Sequence, residues 1–181
     1  MKALAPGFLI AMPKMLDPNF AKTVVLMLEH NDEGAMGLII NRSAELTFSD
    51  LARAQQLEVA EAREDDAIFV GGPVEPYRGF VLHDRDSIEE RAALLPGLFL
   101  SVTIDALGPL LLDPTTRLRF CLGYSGWGPG QLEKEIAEGS WLFTEAELAP
   151  VLVTDPEHIW SEVIKGMGVD PAMLVSTGGI N

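Results

Sequence analysis

Residues 122–133 read Leu-Gly-Tyr-Ser-Gly-Trp-Gly-Pro-Gly-Gln-Leu-Glu, and no other stretch constrains the fold as tightly. Four glycines, a proline and two aromatics stand between an apolar run and a short helical pattern. Residues 117–122 alternate polar and apolar and then turn apolar, which predicts a strand. Leu132 and Ile136 are spaced four apart with Gly139 beyond them, which predicts a short helix. The glycines between permit positive φ or the close approach of another group. A strand, a glycine loop and a helix in that order aim backbone N–H groups at an anion. The spacing excludes the familiar phosphate loops: Gly126, Gly128 and Gly130 do not form Gly-x-Gly-x-x-Gly, and there is no Gly-Lys-Ser/Thr. Pro129 also removes one donor. Two readings follow, a rigid turn that buries Tyr124 and Trp127 or a ligand loop that includes Ser125.

Charge narrows what any ligand is. The 181 residues carry 27 acids and 13 bases, a formal net charge of −14, with no run of Lys or Arg. Nucleic acid and anionic membranes both require local cationic surface, so direct binding to either is disfavoured. The length suits one domain spanning residues 1–181 with a proper core. Hydrophobic residues make up 48% and mean hydropathy is +0.19, as expected of a compact globular chain. Cys121 is the only cysteine. It permits no intrachain disulfide and no cysteine-based zinc site, and its apolar strand predicts an inert buried thiol. The N-terminus lacks a signal pattern, because Pro6 breaks a short apolar stretch. No 18-residue apolar run exists, so the cytoplasm is the expected compartment.

The remaining segments alternate strands and helices. Residues 7–12, 23–28, 36–40, 67–70, 79–83, 98–103 and 140–144 read as strands. Asn31, Asp32, Glu33 and Gly34 supply turn chemistry, so the second and third of these form a hairpin. The strands at 67–70 and 79–83 are expected to pair. Thr47 and Asp50 have the form of a capping box before a helix. Asp155 and Pro156 start another, with Ile159, Trp160, Val163, Ile164 and Met167 on its apolar face. Residues 105–112 read as a helix interrupted at Gly108 and Pro109, and 85–96 as a charged loop or a short helix after Ser87. The expected fold class is α+β: a mixed, largely antiparallel and barrel-like β core with helices packed outside.

Candidate chemistry is sparse. His30, His83 and His158 are the only histidines, and none has a metal-ligand spacing. No metal and no cofactor is expected. Ser125 resembles a nucleophile elbow loosely, with one spacer missing, and would need His30 or His83 as base. Arg42 and Arg78 lie beside turns next to apolar strands, where a guanidinium clamps a carboxylate or phosphate, or simply pairs with Glu29, Asp17 or Glu75.

These residues carry a resemblance. Pro13, Met15, Asp17, Phe20, Thr23 and Val24 are followed by Glu29, His30, Gly34, Ala35 and Gly37, and then by Asn41 and Arg42. Gly71-Gly72-Pro73-Val74 leads to Arg78-Gly79-Phe80-Val81-Leu82-His83, and residues 122–133 and Ser140-Trp141-Leu142 complete the order. The pattern closely resembles the YqgE/AlgH family over nearly the whole chain. Ser43 departs from it, standing where that family usually has proline after Asn-Arg. The resemblance implies a bacterial, cytosolic α+β protein without an established activity. Some relatives carry the label of transcriptional regulator, linked to alginate production. An acidic chain without a helix-turn-helix fits an indirect regulatory effect better than direct DNA contact.

The sequence therefore points to a protein that binds a small ligand or a protein partner. Its expected site gathers His30, Asn41, Arg42, Gly71, Gly72, Arg78, His83, Tyr124, Ser125 and Trp127, which are polar or glycine-rich positions at strand ends. The alternatives are a transcriptional regulator and an uncharacterised, hydrolase-like enzyme.

Overall fold

The computed structural model describes residues 3–176. The elements begin with β1 (Gly7–Ala11), β2 (Val24–Asn31), β3 (Gly34–Ile39), β4 (Ser43–Thr47), α1 (Phe48–Gln55) and β5 (Ala67–Val70). They continue with β6 (Val74–His83), β7 (Ala92–Leu95), β8 (Leu98–Ser101), α2 (Ile104–Leu112) and β9 (Leu118–Trp127). The last are α3 (Gln131–Ala137), β10 (Trp141–Glu145), α4 (Leu148–Leu152), α5 (Pro156–Gly166) and α6 (Pro171–Ser176).

The strands form one curled sheet in the order β10-β1-β2-β3-β9-β6-β8-β7, a half-barrel with helices packed on it. The fold is thus α+β and largely antiparallel. One pairing is parallel: β5 lies against β9 through Phe69↔Cys121 and Val70↔Leu122, and carries β4 on its other side. The edge of β9 that receives β5 pairs farther along with β3, from Gly37↔Ser125 to Ala35↔Trp127. The whole of β9 is therefore the seam of the sheet.

Alternation along the strands sorts the core into layers. Phe8, Ile10, Val24, Leu26 and Leu38 face one side and pack with Ile159, Val163 and Ile164 of α5. Leu9, Val25, Met27 and Ile39 face the other and pack with Trp127, Trp141 and Leu132 of α3. A third layer joins Val81 and Phe120 to Phe48 of α1 and to Leu107, Leu110 and Leu111 of α2. Truncating a fully buried residue such as Leu26 to alanine would cost about 2–5 kcal/mol. The helix starts follow the caps. Thr47 Oγ1 accepts from the Asp50 amide while Asp50 Oδ2 accepts from the Thr47 amide. Asp155 caps α5, with Pro156 at its first position.

Four expectations need correction. The segments 67–70 and 79–83 do not pair, because β9 stands between β5 and β6. Most of the glycine-rich stretch is not a loop: β9 runs on through Gly123 to Trp127, and the turn is confined to 128–130. Gly108 and Pro109 do not interrupt α2, since Pro109 sits inside an unbroken helix whose apolar face stays on the sheet. Residues 92–95 add the strand β7 where a loop or short helix was expected. Strand β4 and helix α4 give no comparable sequence pattern and were missed.

Candidate functional site

The glycine-rich residues meet at a junction that is closed. Gly71 donates its amide to Leu122 O and accepts at its carbonyl from the Ile39 amide, each at 2.8 Å, and from Ser125 Oγ at 3.1 Å. It thereby ties β3 to β9 where β5 leaves off. Gly72 has φ +157°, and a Cβ there would lie 2.2 Å from the backbone of Tyr124. Gly123 has φ +75°, and a Cβ there would lie 2.4 Å from Gly72 O. These glycines exist so that two backbones can touch. Ser125 is fully buried, and its hydroxyl donates to a carbonyl rather than to an imidazole.

The other residues singled out from sequence are engaged separately. Asn41 and Arg42 hold the segment before β2. Asn41 Oδ1 accepts from the Val24 amide, and its Nδ2 donates to Lys22 O. Arg42 donates to the carbonyls of Pro18 at 2.7 Å, Asn19 at 2.5 Å and Ala21 at 2.9 Å. At the opposite end of the β2–β3 hairpin, His30 Nδ1 accepts from the Leu4 amide at 3.0 Å. The proton therefore sits on Nε2, which donates to Glu133 Oε1 at 2.5 Å. That bond to His30 is the main reason the Glu133 carboxyl is held below the usual glutamate range. His83 is fully buried; its Nε2 donates to Ser101 Oγ, whose own proton goes to Glu90 O. Burial is the main cause that pushes the His83 imidazole down. The Arg85 amide donates to His83 Nδ1, so both nitrogens of both rings are occupied by groups other than Ser125.

Arg78 does not reach Glu29 or Asp17. Its Nη1 lies 3.3 Å from Glu75 Oε2, and its guanidinium carbon sits 5.0 Å from the Phe80 ring centre and 5.9 Å from that of Tyr124. Trp127 Nε1 donates to Glu135 Oε2 at 2.6 Å, and its ring meets Trp141 edge to face. Burial pushes the Cys121 thiol up to about 12, as an inert core cysteine requires. Among the described residues, no group of three or more His, Cys, Asp and Glu is disposed to hold a metal. No helix there is long and apolar enough to cross a membrane.

Two concavities reach the surface near these elements. Tyr124 and Trp127 line a cleft of about 510 Å³ beside the β2–β3 turn, with Glu29, Asn31 and Glu33. That lining is polar, and the acids face open solvent. The second, about 390 Å³, lies between α1 and α2. Its floor is Ile68 of β5, Gly79 and Val81 of β6, and Phe120 and Leu122 of β9; Leu51 and Ala54 wall one side and Leu107 the other. Asp50 is the one charged residue of the lining, and the Thr47 amide holds its carboxyl below the usual aspartate range. None of the ten residues singled out from sequence lines this groove.

The groove is the more apolar of the two. Its volume lies within the roughly 300–1,000 Å³ of small-ligand sites. Its rim also exposes apolar side chains that a monomer gains nothing by exposing: Leu46 is 42% exposed, Tyr77 94%, Val102 53% and Ile104 58%. The sheet explains Tyr77. Val74 pairs with Tyr124, but the next pair is Gly79 with Leu122, so four residues of β6 stand opposite Gly123 alone. That excess bulges outward at Glu75, whose φ is 44°, and lifts Tyr77 over the groove. The available sequence signal was weak: apolar Val102 and Ile104 flank the Thr103 cap, where solvent-facing residues are usual.

Known proteins are similar to this chain over nearly its whole length. The profile of the AlgH-like family matches residues 8–172. A UPF0301 protein of Myxococcus xanthus is 61% identical over 181 residues, covering 100% of both chains. Another from Methylococcus capsulatus is 40% identical over 97% of this chain and 95% of its own. The solution structure of the AlgH protein from Pseudomonas aeruginosa is similar with a TM-score of 0.78 and 36% identity, covering 99% of this chain and 97% of that one. A crystal structure from Corynebacterium diphtheriae, 20% identical with a TM-score of 0.71, shares the fold.

Proposed function

The chain belongs to the AlgH-like family, and we propose that it is a binding protein whose site is the groove between α1 and α2. One observation carries the reading. Of the nine large apolar residues most exposed among the described residues, four border this single groove. Apolar surface gathered around a concavity marks a place that something else covers. Covering it removes apolar area from water at about 25 cal/mol per Å². Any regulatory role is then indirect, exerted through the bound partner or ligand in the cytoplasm. The net charge of −14 supports that view, because direct nucleic-acid contact needs cationic surface.

The neutral fluorophore N-phenyl-1-naphthylamine tests the site. Its emission is expected to rise on mixing with the native protein and to stay low with Ala54→Trp, which fills the groove from an exposed helix position. Equal emission from both proteins, or none from either, would remove the groove from consideration.

A further inference from the structure

We infer that the occupant of the groove is a basic amphipathic helical segment of a partner protein; this rests on the reading of the groove as the binding site. The first reason is the rim. A small ligand seated on Val81 and Phe120 leaves Tyr77, Leu46 and Ile104 in water, whereas these are the exposed groups that need covering. A polypeptide laid along the groove covers floor and rim together. The second reason is shape. Helices α1 and α2 each pack on the sheet through their own residues, Phe48 on one side and Leu110 and Leu111 on the other, and leave a sheet-floored channel between them. A third helix placed there completes a layer of helices on a sheet, with anchors three and four residues apart.

The third reason is charge. Acids stand next to the apolar rim residues in the chain: Glu45 beside Leu46, Asp105 beside Ile104, Glu75 near Tyr77, and Asp50 in the lining itself. The opposing cations are Arg53 on α1 and Arg78, and Arg78 is turned onto Glu75, Phe80 and Tyr124. Two copies at −14 each repel, which disfavours a second copy of this chain as the occupant. A helix with an apolar stripe and Lys or Arg flanks satisfies both the groove and its border.

Fluorescence anisotropy with three labelled peptides of about four helical turns tests this. One is an amphipathic Leu/Lys helix, the second has the same apolar face with Glu for Lys, and the third is the Leu/Lys composition scrambled to abolish the face. The amphipathic Leu/Lys peptide is expected to bind at least roughly tenfold more tightly than either control, and more weakly as salt rises. Tyr77→Ala and Ile104→Asn, both at exposed positions, are each expected to weaken it several-fold, and Ala54→Trp to abolish it. Equal binding of the Lys and Glu peptides overturns the basic partner and leaves the groove standing. Equal binding of the scrambled peptide, or binding untouched by the three variants, shows charge attraction elsewhere and overturns the inference. Failure of every peptide while N-phenyl-1-naphthylamine binds makes the groove a small-ligand site. Failure of both overturns the site as well.

Discussion

The closed junction around Gly71 and the open groove beside Phe120 are built on neighbouring residues of the same strand, and they are opposites. At the junction the residues are glycine and serine, the backbones touch, and Ser125 has no exposed surface. At the groove the residues are ordinary apolar ones, and the surface is left open. The junction carries the sequence pattern and the groove carries the accessible surface. A dense glycine and polar motif reports how tightly a backbone must pass another backbone, which is a demand of the fold. A surface that binds apolar groups needs only leucine, valine and isoleucine left uncovered, and that leaves no spacing to read.

The contrast breaks most directly at Gly72. Gly72→Ala puts a Cβ 2.2 Å from the Tyr124 backbone at a φ that side chains rarely adopt, so a loss of about 4 kcal/mol or more is expected. Soluble yield and urea midpoint measure it, and a variant within about 1 kcal/mol of native would mean the junction is not tightly specified. Arg42→Ala comes next. It removes donors to three carbonyls and is expected to cost about 1–3 kcal/mol without altering N-phenyl-1-naphthylamine binding. Loss of binding at unchanged stability would instead make Arg42 part of a site.

A smaller effect is expected at Glu133. Its carboxyl is held low in the folded state, chiefly by the bond from His30. The stability it contributes is present above the ordinary glutamate value, about 4.3, and is lost as pH falls through the lower folded value. Urea midpoints between neutral pH and the acid limb are expected to fall less steeply for Glu133→Gln than for the native protein. Identical slopes would show that this bond adds nothing to folding. The smallest change in stability belongs to Tyr77→Ala, within about 0.5 kcal/mol of native, although it stands on the rim of the proposed binding surface. A melting curve beside the anisotropy titration separates the two effects, and a large drop in melting temperature would place Tyr77 with the core rather than the groove.

Local physics made much of this fold legible. The Thr47 and Asp155 caps, the turn before Gly34 and the β-branched run of β2 each state their own conformation within a few residues. Pairing was less legible. The segments 67–70 and 79–83 follow one another closely, but which edge each takes depends on β9, far along the chain. The site was least legible. His30, His83 and Arg42 have polar side chains at strand ends, which is where binding residues and structural clamps both occur. Only the positions of their partners, Leu4 and Glu133, Ser101, and the carbonyls of Pro18, Asn19 and Ala21, tell the two apart. Arg63 and Arg119 were missed for the same reason. Both guanidiniums are buried and satisfied by carbonyls, including Asp113 O and Ile40 O, and neither lies in a pattern that announces burial.

The placement of β9 bears on how the protein is made. Strands β3, β5 and β6 all take a neighbour from Leu118–Trp127, a segment synthesised after every one of them. A ribosome adds roughly 5–20 residues per second, so a nascent chain carries three unsatisfied strand edges for seconds before the seam arrives. Such edges recruit other strands as readily as their own. Reaching the native sheet therefore requires that the free edges of β3, β5 and β6 stay unpaired with other strands until β9 is made.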